Sequence, residues 1–323
     1  MLKLRHRPFV AALLAACAGT AAAQAAYPSK PITLIVGAAP GGTTDIAARM
    51  LAEPLSKALS QTVVFDNRSG ASGALAAVAV KRAEPDGYTL LMQYSGYHVI
   101  TPHVVKSQQW DTRDLQAVAN VLSAPQVIVA RDGLPVKTMA ELLAHARANP
   151  GKLTYASSGN GSLQHATGSM LEQQAGITMT HVPYRGTGPA LQDLLGGQVD
   201  LTFGTPPPFM SFIQSGKLRA LAVTGKSRLP SLPNVPTATE AGLPKLDATS
   251  WFGVFAPAKT PKPVVDKLAA EIAKVMATPA FKEKAVELGA VADYMNPQQL
   301  ADYSTSESSR WAQVVKAAKI EAD

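Results

Sequence analysis

One stretch near the start, Pro31-Ile32-Thr33-Leu34-Ile35-Val36-Gly37-Ala38-Ala39-Pro40-Gly41-Gly42-Thr43-Thr44-Asp45-Ile46, limits the folds open to this chain. The apolar, β-branched run from Ile32 to Val36 predicts a strand, and a Gly/Pro-rich loop follows it. Beyond the loop, apolar residues recur at Ile46 and Met50 and at Ala47, Leu51, Leu55 and Leu59, the spacing of an amphipathic helix. A strand that ends in a glycine loop aims the N-terminus of the next helix outward. Gly41 and Gly42 carry no Cβ, so another group can approach the backbone closely. The first helical amides have no internal partner, and the helix dipole adds partial positive charge there. That end is an anion site suited to phosphate or carboxylate.

The device recurs along the chain. Thr62–Asn67 predicts a second strand, Gly70-Ala71-Ser72-Gly73 opens a helix to about Lys81, and Tyr88–Tyr94 predicts a third strand. This β-α-β-α-β alternation points to a parallel sheet with helices on its faces. Further on, Gln126–Ala130 and Leu153–Ala156 read as strands, and Ser157-Ser158-Gly159-Asn160-Gly161-Ser162 is a second glycine loop before a helix. Thr180–Pro183 leads through Tyr184-Arg185-Gly186-Thr187 into a helix ending at Leu195, and Val199–Phe203 is a strand running into Gly204-Thr205. Leu218–Thr224 is one more strand, Pro230–Pro244 has little regular structure, and Ser250–Phe255 is apolar and extended. Helices over Pro263–Met276, Pro279–Leu288 and Pro297 to about Lys319 complete the chain, and Pro54 is expected to kink the first helix. Two α/β halves, each with a glycine loop feeding a helix, predict two lobes facing across a cleft, with ligand loops at the C-terminal ends of strands. Gln126–Ala130 and Ser250–Phe255 are the candidate crossovers or hinges.

With 323 residues, 46% of them apolar, the chain can bury one large or two medium cores. Its first residues read as an export leader: Lys3, Arg5 and Arg7 precede an apolar run from Phe9 to about Ala23. Ala23-Gln24-Ala25 is a cleavage site of the A-x-A kind, which makes residues 1–25 a signal peptide; Leu14-Ala15-Ala16-Cys17 fits a lipoprotein box that would instead put a lipid on Cys17. Both routes take the protein to the periplasm. Cys17 is the only cysteine, so the folded region needs neither thiol nor disulfide. Losing the leader removes three basic residues and no acidic ones, which takes the net charge from +7 to +4. That charge mildly favours anionic small molecules. No basic-aromatic stripe of the nucleic-acid-binding kind is present, and no apolar stretch after the leader reaches the roughly 18–20 residues of a membrane span.

Enzymatic readings find little support. Gly37, Gly41 and Gly42 with Asp66 beyond them loosely imitate a dinucleotide fingerprint, but the G-x-G-x-x-G spacing is not met and Pro40 stiffens the loop. Ser95, Ser158 and Ser162 sit at loop tips without a G-x-S-x-G elbow. The histidines are dispersed in sequence and form no metal-binding pair; His165 and His181 flank the second-half loops as cleft, surface or cap residues. Asp45 either complements the helix dipole or holds water or a ligand donor beneath the first loop. Arg185 is either solvated or a carboxylate partner, Tyr94 and Tyr184 either wall a pocket or pack in the core, and Asp200 either orients a partner in the cleft or caps the next helix.

Several segments, taken in order, carry a resemblance. Tyr27-Pro-Ser-Lys-Pro-Ile32, Pro40-Gly-Gly-Thr-Thr-Asp45 with Ala48-Arg49, Asp66-Asn67-Arg68 with Gly70-Ala-Ser-Gly73, and Pro85-Asp-Gly-Tyr-Thr-Leu90 come first. His181-Val-Pro-Tyr-Arg-Gly186, Leu194-Leu-Gly-Gly-Gln-Val-Asp200, Pro233-Asn-Val-Pro-Thr237 with Glu240-Ala-Gly242, and Trp251-Phe-Gly253 with Ala256-Pro257 follow. Together they resemble the Bug family, the extracytoplasmic solute receptors of tripartite tricarboxylate transporters. The resemblance departs where Thr43 and Ser60 stand in place of the family's usual glycines and Arg185 in place of a usual lysine.

The resemblance implies an α/β, two-lobed periplasmic-binding-protein fold of the type II kind, with lobe 1 formed by residues 26–125 plus 252–323 and lobe 2 by 126–251. It implies a monomer that binds a small organic acid without bond chemistry, cofactor or metal, and delivers it to membrane permease subunits. The carboxylate is expected on Pro40, Gly41, Gly42, Thr43, Thr44 and Asp45, with Tyr94 and Ser95 beside them. Ser158, Gly159, Asn160, Gly161, Ser162, Tyr184, Arg185, Gly186, Thr187, Asp200 and Thr205 are expected to complete the site from the second lobe. A ligand sensor for a signalling partner and an exported hydrolase are the competing readings. The ligand's identity stays open among aliphatic and aromatic acids and amides.

Overall fold

The computed structural model describes residues 27–106 and 109–321. The proposed leader and Cys17 therefore lie outside the described residues. The chain runs β1 (Ile32–Val36), α1 (Thr43–Leu59), β2 (Val63–Asn67), a 3₁₀ turn at Ala71–Gly73, α2 (Ala74–Lys81) and β3 (Thr89–Tyr94). Two short helices, α3 (Ser95–Val99) and α4 (Thr101–Val104), and a long strand β4 (Leu115–Pro125) complete this first pass. The second half is β5 (Val127–Arg131), α5 (Met139–Ala148), β6 (Thr154–Ser157), α6 (Leu163–Ala175), β7 (Thr180–Pro183), α7 (Thr187–Leu195), β8 (Leu201–Gly204), α8 (Met210–Gln214) and β9 (Leu218–Val223). The chain returns through β10 (Thr249–Pro257) and ends in α9 (Lys262–Ala277), α10 (Pro279–Glu287) and α11 (Pro297–Ala317).

These elements make a two-lobed α/β fold around two five-stranded sheets, ordered β2-β1-β3-β10-β4 and β7-β6-β8-β5-β9. The expected parallel pairing holds for β2-β1-β3 and β7-β6-β8. Both sheets are mixed, however. β10 runs antiparallel to β3 and β4, and β5 runs antiparallel to β8 and β9. A strand arriving directly from the other sheet has no helix crossover to turn it round, so it enters against the parallel set. The chain passes between sheets at Gln126, where β4 ends and β5 begins, and again in the stretch before β10. Thr249, Ser250 and Trp251 pair with Pro125, Ala124 and Ser123, so this end of the return strand lies in the first sheet.

The first sheet is buried on both faces. Leu34, Val36, Leu91 and Met92 lie among Leu51, Leu55, Leu268 and Ile272 of the covering helices. Helix α1 continues through Pro54, and its Ser60 cap adopts a left-handed conformation, φ 52°. The second sheet has a cluster on each face, one around Tyr155, Phe203 and Leu142, the other around Val127, Phe209 and Leu194. Leu163 and Ala166, at the start of α6, are packed into the core of the first half. Among the described residues no helix is long and apolar enough to cross a membrane.

Candidate functional site

The loop after β1 is braced from beneath by Asp45. This carboxylate, 2% exposed, accepts hydrogen bonds from the Gly41 amide (3.0 Å), Arg49 Nε (2.9 Å) and Asn67 Nδ2 (3.1 Å). Asn67 also donates to the Ala38 carbonyl at 2.9 Å. Asp45 therefore holds the loop's shape, and the Gly41 N–H is already committed to it. The Gly42 N-cap brings no side-chain cap, so the next amides of α1 have no partner within the helix.

Helix α7 meets this loop from the other half. Its N-cap, Gly186, has φ 126° and no side-chain cap; a Cβ there would press on the Ala39 amide, 3.1 Å away. A Cβ on Gly42 would touch Thr187 Cβ at 3.5 Å and the Gly188 amide at 3.7 Å, and one on Gly188 would collide with the Pro40 carbonyl oxygen. The close approach that the first loop's glycines allow is thus made by α7. Two uncapped helix N-termini, one from each half, converge.

A small cavity lies where they meet, with room for the centre of about one water molecule (about 10 Å³). Of the residues expected in the site, Gly42, Thr43, Thr44, Tyr94, Ser158, Gly186, Thr187 and Thr205 line it. Ala38, Tyr97, Gln164, Ser250 and Phe252 line it as well, and sequence reasoning missed them. Thr43 Oγ1 and Thr205 Oγ1 hydrogen-bond at 2.6 Å across the two halves. Gln164 Oε1 accepts from Tyr94 OH (2.9 Å) and Ser158 Oγ (2.7 Å), while its Nε2 donates to Thr187 Oγ1 (3.1 Å). Phe252 stacks on Tyr94 with ring centroids 5.7 Å apart.

Among the described residues, no lysine, arginine, histidine, aspartate or glutamate lines the cavity. Burial raises the hydroxyl pKa of both Tyr94 and Tyr97, the latter to about 12, so neither ionises near neutrality. The positive potential here comes from amides and helix dipoles, which do not titrate. Such a site can hold a carboxylate by replacing its water with N–H and O–H donors.

Other expected residues do different work. Most of the second glycine loop joins the halves instead of facing the cavity. Tyr97 OH donates to the Ser158 carbonyl, Ser72 Oγ to the Asn160 carbonyl (2.8 Å) and Thr101 Oγ1 to the Gly161 carbonyl (3.1 Å). A Cβ on Gly159 would press on Ser72 Oγ at 2.9 Å. Ser162 Oγ caps α6 by accepting the His165 amide. Ser95 Oγ accepts the Trp251 amide at 3.2 Å. Tyr184 OH donates to Asp193 at 2.7 Å, tying β7 to α7, and Arg185 is exposed next to the Gly186 cap. Asp200 corrects the expectation outright. It precedes β8, at the end of the strand opposite Thr205, where it accepts from the Thr154 amide and hydroxyl and pairs with Arg131 at 3.0 Å. Parallel β6 and β8 put strand starts at the far side of the sheet from the loops, so Asp200 cannot reach the cleft.

His165 and His181 stack at 4.0 Å, and His181 Nε2 hydrogen-bonds Ser157 Oγ at 2.6 Å. Ser157 is 1% exposed and is not among the residues that line the cavity.

A family model described as "Tripartite tricarboxylate transporter family receptor" (TctC) matches residues 47–320. Protein BugT of Bordetella pertussis is 35% identical over 311 residues, 95% of either chain. Among solved structures, Rpa4515 of Rhodopseudomonas palustris with adipate is 35% identical with TM-score 0.89, covering 92% of this chain and all of the other. MatC (Rpa3494) of Rhodopseudomonas palustris with bound malate is 33% identical with TM-score 0.85, covering 90% of this chain and all of the other.

Proposed function

The chain belongs to the tripartite tricarboxylate transporter receptor family, and from that premise we propose that it binds a small aliphatic dicarboxylate between its lobes and delivers it to membrane permease subunits. Receptors of this family are periplasmic solute-binding proteins and not enzymes. The observation that carries the ligand class is the convergence of two uncapped helix N-termini, α1 and α7, on a cavity lined only by neutral groups. The relatives solved with adipate and malate support the same class.

In this reading lobe 1 is 26–125 with 252–323, lobe 2 is 126–251, and the crossings at Gln126 and before β10 are the hinge. One carboxylate sits on the amides of Gly42, Thr43 and Thr44, and α7 with Thr187 closes on it from the second lobe. The cavity is far smaller than an aliphatic dicarboxylate needs, so the lobes separate to admit one before they close. Closing is driven only by the ligand's greater affinity for the closed form. Export uses the leader, with cleavage after Ala25, and the mature chain is a monomer with Arg185 near the mouth drawing in anions.

The test is a thermal-shift and calorimetry panel on the mature chain with adipate, malate, aromatic acids and uncharged amides. A ligand at 100-fold over Kd adds about 2.7 kcal/mol, on the order of 5–10 °C for a protein of this size. A strong response to dicarboxylates, with uncharged amides binding measurably but more weakly, is the expected result. No response from any acid, in protein unfolded and refolded to strip ligand carried from the host, would overturn the reading.

A further inference from the structure

Gln164 occupies the second position of α6, is 5% exposed, and belongs to none of the motifs that mark the site in sequence. Its carboxamide stands where the two halves meet. Tyr94, at the end of β3, and Ser158 both donate to Oε1, and Nε2 donates to Thr187 at the first turn of α7. These partners settle which end of the amide is which. The Tyr94 oxygen already accepts the Leu163 amide at 3.2 Å, so its single proton goes to Oε1. With Oε1 engaged by two hydroxyls, the acceptor end of the side chain is saturated. A molecule entering the cavity therefore meets the donor end, together with the free amides of α1 and α7.

We propose that Gln164 is a specificity-determining residue: its Nε2 donates to the acid group of the ligand at the N-terminus of α7, and its neutrality is what allows an anion there. This rests on the carboxylate reading above. The carboxamide has two N–H bonds, and Thr187 takes one of them. An ionised carboxylate at this position is acceptor-only and negative. It can still satisfy Tyr94, Ser158 and Thr187, because all three partners are hydroxyls and each can donate. Gln164→Glu thus preserves the protein's own hydrogen bonds and the side chain's shape while placing a negative charge against the ligand's.

The experiment compares wild type, Gln164→Glu and Gln164→Leu for binding of adipate and of adipamide, its uncharged diamide, with melting temperature as the fold check. The expected result is a loss of at least 100-fold in adipate affinity for Gln164→Glu, with adipamide affinity within about threefold of wild type. Gln164→Leu, which removes the donor without adding charge, is expected to weaken adipate by roughly 10-fold. Wild-type protein that binds adipate while Gln164→Glu binds it equally well overturns the proposal, and so does a Gln164→Glu loss that is equal for adipate and adipamide. If wild type takes adipamide and no acid at all, the carboxylate reading fails and this proposal falls with it.

Discussion

The hydroxyls of Thr43 and Thr205 meet at 2.6 Å, one from the first turn of α1 and the other from the loop after β8 on the opposite sheet. Both are nearly excluded from water, at 3% and 6% exposure. Neither has another partner of the same quality across the gap, so the bond exists only while the halves are together. Thr43→Val keeps the shape and removes the hydroxyl, leaving that of Thr205 buried and unpaired. The expected cost to the closed form is about 1–2 kcal/mol. Solution scattering should show a larger radius of gyration at subsaturating ligand, and calorimetry a Kd raised roughly 10-fold.

Gly188 tests the closed contact from its other side. Its own backbone is ordinary helix, but a Cβ there would overlap the Pro40 carbonyl. Gly188→Ala should leave the melting temperature of the ligand-free protein within a few degrees of wild type and abolish detectable binding. A variant that binds normally would mean that α7 does not close on the Pro40 loop.

Asp45 bears on the loop's rigidity. Removing its carboxylate by Asp45→Ala orphans the Gly41 amide, leaves Asn67 with the Ala38 carbonyl alone and takes the carboxylate partner from Arg49. A loss of about 2–4 kcal/mol is expected in urea unfolding. Ligand affinity should fall further than stability alone explains, because the amides of α1 lose their fixed direction.

His98 sets a pH dependence remote from the cavity. Its ring lies among Trp110, Trp251 and Phe255, and burial lowers its pKa from 6.5 to about 4. The unfolded chain takes up a proton near pH 6.5, whereas the folded protein resists it until about pH 4. Stability from this group is complete above pH 6.5 and declines as the pH falls through that window. The loss should reach about 2 kcal/mol by pH 5. Chemical denaturation at pH 7 and pH 5 should show it in wild type and show it reduced by that amount in His98→Leu.

Ser60 closes α1 with φ 52°, a conformation that costs a residue with a Cβ about 1 kcal/mol more than glycine. Ser60→Gly should raise stability by about 0.5–1 kcal/mol without altering binding, read as a small rise in melting temperature.

The strand-loop-helix units were readable because their causes are local. Ile32–Val36 is a continuous apolar run, Gly41-Gly42 interrupts it, and Ile46 to Leu59 repeats with helical period; β1 and α1 fall on those residues. The segment from Gly96 to Pro125 carries no local signal of its elements. It holds the one-turn helices α3 and α4, too short to show a period, and β4, where buried residues succeed one another without alternation. Tyr97 was lost with that segment. Phe252 was visible as part of an apolar strand, but nothing local says that it faces Tyr94 across an antiparallel pair. Asp200 shows the opposite failure: its nearness in sequence to Thr205 suggested a shared site, yet a four-residue strand separates them and puts them at opposite ends of a sheet.

By itself the sequence determined the succession of units, the positions where a backbone can be approached closely, and the family whose ordered motifs it shares. Each depends on residues near one another in the chain. The tertiary structure alone decided which donors share a cavity. Thr43, Gln164 and Thr187 belong to three helices from two halves, and most of the second glycine loop is taken up in holding those halves together. A side chain's direction is set by what packs behind it, and here the ties between the halves come from elements 60 to 88 residues away in the chain.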